Sequence, residues 1–75
     1  ILKLHMTIET KILPCFIKPG ARIIEPKFGS GVWVVTHRRK SRYEGFYQIQ
    51  ARPEGSVETS MIKSIDICHN LTIAP

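Results

Sequence analysis

The most charged stretch of this 75-residue chain is His37-Arg38-Arg39-Lys40-Ser41-Arg42, which holds four of its eleven Lys and Arg residues and runs directly into Tyr43. Clustered guanidinium and ammonium groups neutralise phosphates or carboxylates. An aromatic ring beside them offers a face on which a base can stack. The candidate contact set is Arg38, Arg39, Lys40, Arg42 and Tyr43, with Trp33 and Phe28 upstream. The competing reading is a solvated hairpin tip, kept from aggregating by its charge. Trp33 also has two readings. If Val32 and Val34 point inward, Trp33 faces out beside Val35 as an interaction patch. Otherwise the N-terminal leader covers it through Phe16 or Ile17. Phe28 is either a plug for its turn or a ligand contact.

Catalytic signatures are missing from the sequence. It contains no GxSxG, no phosphate-binding P-loop and no HExxH. Gly29-Ser30-Gly31 is short for a phosphate cradle and opens a strand rather than a helix. Cys15 and Cys68 have no CxxC partner, and His5, His37 and His69 are scattered, so no metal or other cofactor is expected. The cysteines read as reduced thiols of a cytoplasmic protein. The net charge of +5 favours polyanions or acidic surfaces as partners. No apolar run reaches the roughly 18 residues of a membrane span, so no membrane partner is expected. Residues 1–7 lack the apolar core of a secretory signal. Met6 is a candidate start, which would leave residues 1–5 as a tag or upstream sequence.

The elements that must position these groups are short. Residues 1–19 form a leader, in which 7–18 can add an edge strand. Lys18-Pro19-Gly20 is a turn. Ala21–Glu25 is the first strand, with Arg22 and Glu25 towards solvent, and Pro26 ends it. A glycine turn over Phe28–Gly31 leads to the second strand, Val32–Thr36. The basic run 37–42 is too polar for a strand interior and is placed in a loop. Phe46–Arg52 alternates cleanly, with Tyr47, Ile49 and Ala51 inward and Gln48, Gln50 and Arg52 outward. Pro53-Glu54-Gly55 is a hairpin turn and Ser56–Thr59 a short fourth strand. Ser60–Ser64 forms a single 3₁₀ turn before a fifth strand, Ile65–Cys68, and residues 70–75 are a tail. Five short strands without a long helix predict an all-β, five-stranded SH3-like barrel over residues 20–69.

Two stretches resemble known families of that fold. Gly20-Ala21-Arg22 through Pro26-Lys27-Phe28-Gly29-Ser30-Gly31-Val32 is similar to G-x-R-V-x-H-P-x-F-G-x-G-x-V, the opening of the Tudor-like domain at the C-terminus of superfamily 1 repair helicases. That resemblance implies docking on a transcription component. The family's histidine is Glu25 here. Glu44-Gly45-Phe46 and Gly55-Ser56-Val57 resemble the plasmid-borne type II dihydrofolate reductases, tetramers with a shared central pore. Their catalytic V-Q-I-Y reads Val57-Glu58-Thr59-Ser60 here, and Lys27 is the nearest substitute for their ligand-attracting lysines.

The leading expectation is therefore a non-catalytic module that binds nucleic acid or an acidic protein surface. A tetrameric, NADPH-dependent reductase is the alternative that the second resemblance implies. Its central ring of Glu58 carboxylates would repel an anionic folate. A self-associating structural protein of a mobile element or phage is the third, because a small barrel gains stability by oligomerising.

Overall fold

The computed structural model describes residues 10–56 and 61–75. These form six antiparallel strands: β1 (Thr10–Ile12), β2 (Arg22–Ile24), β3 (Trp33–Lys40), β4 (Tyr47–Pro53), β5 (Lys63–Ile67) and β6 (Leu71–Ile73). Their order across the sheet is β1-β6-β2-β3-β4-β5. A 3₁₀ turn, Pro14–Phe16, follows β1. The protein is all-β, as its sequence predicts, with six strands where the reading gives five.

The sheet is strongly coiled. Ile67 ends β5 and Leu71 begins β6, so four residue steps, at most about 14 Å of chain, join them. A flat sheet would hold β5 and β6 four strand spacings apart, about 19 Å. The coil lets one core serve strands distant in the order. Ile23, Trp33, Val35, Ile49, Ala51, Ile67 and Leu71 pack into a single cluster with Ile17 and Phe28.

The face assignment of β4 holds. Ile49 and Ala51 are fully buried, Tyr47 packs half-buried against them, and Gln48 and Gln50 lie on the other face. Strand β3 departs from expectation twice. Trp33 and Val35 point inward while Val34 points out, because Trp33 and Val35 sit opposite Pro53 and Ala51 of β4. The basic run is also not a loop: His37 to Lys40 continue β3 in register with Gln50 to Tyr47. A bulge between Val35 and His37 makes this possible. Thr36 takes up the extra residue and donates its hydroxyl to the Gln50 carbonyl at 3.1 Å. Beyond the bulge His37 to Lys40 are all exposed, so charge on both faces stays solvated.

Other corrections follow from pairing. Residues 70–75 are not a tail, since β6 lies between β1 and β2 with Leu71 buried and Ile73 opposite Ile23. Lys63 and Ser64 belong to β5, opposite Ala51 and Gln50, rather than to a helical turn. The Lys63 ammonium also donates to the Phe28 carbonyl at 2.8 Å. The fourth strand read over Ser56–Thr59 and the cap Ser60 lie, apart from Ser56, outside the described residues. The leader does add an edge strand, β1, paired with β6.

Glu25 is buried rather than solvent-facing, 7% exposed. It closes the turn after β2: its carbonyl accepts from Phe28 N–H at 2.9 Å and its carboxylate from Lys27 N–H at 3.0 Å. That turn seats Phe28 against Trp33, with ring centroids 5.4 Å apart and planes inclined by 26°. Gly29 lets the chain pass the indole. Its φ is +146°, and a Cβ there would sit 3.1 Å from the Trp33 ring.

Candidate polyanion interface on the β3–β4 hairpin

Alternation along β3 divides the basic run between two faces. His37 and Arg39 share one with Gln50 and Gln48, and Asp66 of β5 lies beside Gln48. There the Arg39 Nε donates to Gln48 Oε1 at 2.5 Å. Arg38 and Lys40 share the opposite, core-side face with Ile49 and Tyr47. Arg38 lies 5.8 Å from the Tyr47 ring centroid, and its guanidinium donates to the Cys15 carbonyl on the 3₁₀ turn.

The hairpin tip is a tight turn. Phe46 N–H donates to the Tyr43 carbonyl and Ser41 N–H to the Phe46 carbonyl, both at 3.1 Å. Gly45, at φ +86°, supplies the left-handed residue such a turn requires. The turn presents Tyr43 at 51% exposure, edge-on to Phe46 with centroids 6.2 Å apart. Arg42 lies 5.3 Å from the Tyr43 centroid. Among the described residues, neither Lys40 nor Arg42 is paired with a carboxylate.

Thus Arg38, Arg39, Lys40, Arg42 and Tyr43 fall on one ribbon, where Arg39 shares a concavity of about 420 Å³ with Lys40, Arg42, Gln48 and Asp66. Trp33 and Phe28 do not join them. Both are buried, Trp33 at 5% exposure and Phe28 at 0%, so the exposed-patch reading of Trp33 is overturned and Phe28 is the turn plug. Ile17 is buried in the same core cluster as Trp33, whereas Phe16 is 63% exposed. Phe46 and Tyr47 are additions to the site. The order Tyr43-Glu44-Gly45-Phe46-Tyr47 behind a basic run signals them, but only the turn shows that the rings converge. The reductase-like pore positions Val57, Glu58, Thr59 and Ser60 lie outside the described residues, and Lys27 is exposed.

Elsewhere, described polar side chains pair with one another across the sheet. His69 Nε2 lies 2.8 Å from Glu25 Oε1. Arg22 forks onto Glu54 at 2.5 and 3.1 Å and donates to the Pro75 carbonyl. Cys15 and Cys68 are free thiols. Among the described residues, no group of three His, Cys, Asp or Glu side chains converges on a metal position, and no helix is long and apolar enough to cross a membrane. Comparisons with protein-family descriptions, with curated proteins and with solved structures find no match to this chain.

Proposed function

We propose that this chain is a non-catalytic binding module of SH3-like barrel form that grips a polyanion, nucleic acid before an acidic protein surface, with its β3–β4 hairpin. One observation carries the reading: Lys40 and Arg42 stand exposed at the end of the β3–β4 ribbon, with no described carboxylate in ion-pair contact. Between residues 37 and 53 five Arg and Lys side chains face one acid, Glu44. Cations held apart on a rigid two-stranded arm meet spaced phosphates without first being desolvated, and they release the counterions condensed there. The barrel form is supported by the coil of the sheet around one core and by the three-residue link from β5 to β6.

The test is fluorescence anisotropy with labelled single- and double-stranded DNA and RNA at low and moderate salt. Binding that weakens steeply with salt is expected. Absence of binding to every nucleic acid at low salt removes the nucleic-acid reading.

A further inference from the structure

Phe46 and Tyr47 bring a second chemistry to the hairpin's core-side face. Lys40, Tyr43, Phe46 and Tyr47 line a groove of about 200 Å³ at the tip, and Glu44 lines it with them. Drug-sized sites begin near about 300 Å³, so this one suits a single flat ring. Its walls are aromatic, with Tyr43 half exposed and the Phe46 ring edge-on beside it. Cations flank the rings: Arg42 against Tyr43, Arg38 against Tyr47, and Lys40 directly opposite Tyr47 across the ladder. Through Cys15, Arg38 links this face to the turn that carries the exposed Phe16.

We propose that this groove takes an unpaired base, so that the preferred ligand is single-stranded nucleic acid. The inference rests on the polyanion reading above and goes one step beyond it. Duplex keeps its bases stacked on one another and offers an aromatic groove only phosphates. A single strand can splay a base onto Tyr43 while the flanking phosphates meet Arg42 and Lys40. An acidic protein matches the cations and leaves the rings without a partner.

The experiment compares the full chain with Tyr43→Ala and Tyr43→Phe. The probes are labelled oligothymidine, its duplex with oligoadenosine, and polyglutamate as competitor. Expected are tighter binding of the single strand than of the duplex, and a loss of about tenfold on the single strand in Tyr43→Ala, corresponding to one stacked base. Tyr43→Phe retains the ring and should keep the affinity, and polyglutamate should compete weakly. If Tyr43→Ala binds oligothymidine as the parent does, or if duplex binds as tightly, stacking is refuted while salt-dependent charge binding survives. If polyglutamate competes as well as oligothymidine, the ligand is any polyanion and the single-strand proposal falls. If no nucleic acid binds at low salt, both readings fall together. Tyr43 lies at an exposed turn outside the core, so a matching urea midpoint for both variants is the expected folding control.

Discussion

Glu25 and His69 meet where the first central strand ends and the last begins: His69 Nε2 donates to Glu25 Oε1 across 2.8 Å. Glu25 follows β2, His69 precedes β6, and those strands are paired, so the contact locks the C-terminal segment into the sheet. Burial alone would push the Glu25 carboxyl up. The hydrogen bonds from His69 and Lys27 N–H, with the charges of both residues, outweigh it and hold Glu25 below its ordinary 4.5. Because the folded state holds the proton less tightly, Glu25 stabilises the fold above the ordinary carboxylate range. That contribution is lost as pH falls through the folded value. Glu25→Gln should therefore lower stability by about 1–2 kcal/mol at neutral pH. Its difference from the parent should shrink as pH falls through the lowered folded value of Glu25. Urea melts across that range check it, and a difference independent of pH would refute the ionised contact.

The Phe28–Trp33 stack predicts a protected indole. Trp33 emission should be blue-shifted and poorly quenched by acrylamide, since only 5% of the residue is accessible. Phe28→Ala removes a fully buried ring and should cost about 3–5 kcal/mol. That is a large share of the about 5–15 kcal/mol that holds a small domain. Gly29→Ala should cost about 1–3 kcal/mol, because its φ of +146° strains any side chain and its Cβ would press on the indole. A red-shifted emission in that variant would locate the damage at Trp33.

How much of this was legible in the sequence depends on the kind of signal. Tyr47-Gln48-Ile49-Gln50-Ala51 alternates without interruption, and two-residue periodicity assigned its faces correctly. Phe28 before a glycine turn reads equally as a plug or a ligand contact, and only its burial against Trp33 decides for the plug. The bulge at Thr36 leaves no trace in composition, so His37–Lys40 looked like a loop when a one-residue slip lets them continue a strand. The burial of Glu25 was hidden because its partner, His69, is 44 positions away. The strand Leu71–Ile73 is short, and only its pairing with Ile23 and Ile12 separates it from a tail. The basic run itself was visible, but its division between two faces was not, nor were the rings that complete one of them.

The bulge is itself testable. Thr36→Val keeps the shape and deletes the hydroxyl that donates to Gln50. It should cost about 1 kcal/mol and leave the hairpin register unchanged. Deleting Thr36 removes the slip. His37 then follows Val35 directly and keeps both its partner Gln50 and its face, so alternation runs on with Trp33 and Val35 still inward. No charge is buried and no core ring exposed, so the deletion should keep a cooperative thermal transition and cost about 1 kcal/mol for the lost Thr36–Gln50 bond. A deletion variant that loses its cooperative transition would mean that the bulge, beyond its register, is needed to shape the hairpin.

The salt dependence of binding should separate the hairpin cations by their local duties. Each phosphate contact to a single strand adds about 0.7 to the slope of log affinity against log salt. Lys40 and Arg42 have no described carboxylate partner, so Lys40→Ala and Arg42→Ala should each lower the slope by about that amount. Arg39 donates to Gln48 on the opposite face from the rings, and Arg39→Ala should change the slope least. Arg38 both flanks Tyr47 and holds the Cys15 carbonyl, so Arg38→Ala should lose stability as well as affinity. Lys40→Ala and Arg42→Ala should leave the urea midpoint within about 0.5 kcal/mol of the parent, because exposed side chains beyond the core carry little of the fold. Equal slopes for all four variants would point to diffuse charge attraction, and a slope lowered only by Arg39→Ala would move the contact surface to the face lined by Gln48 and Asp66.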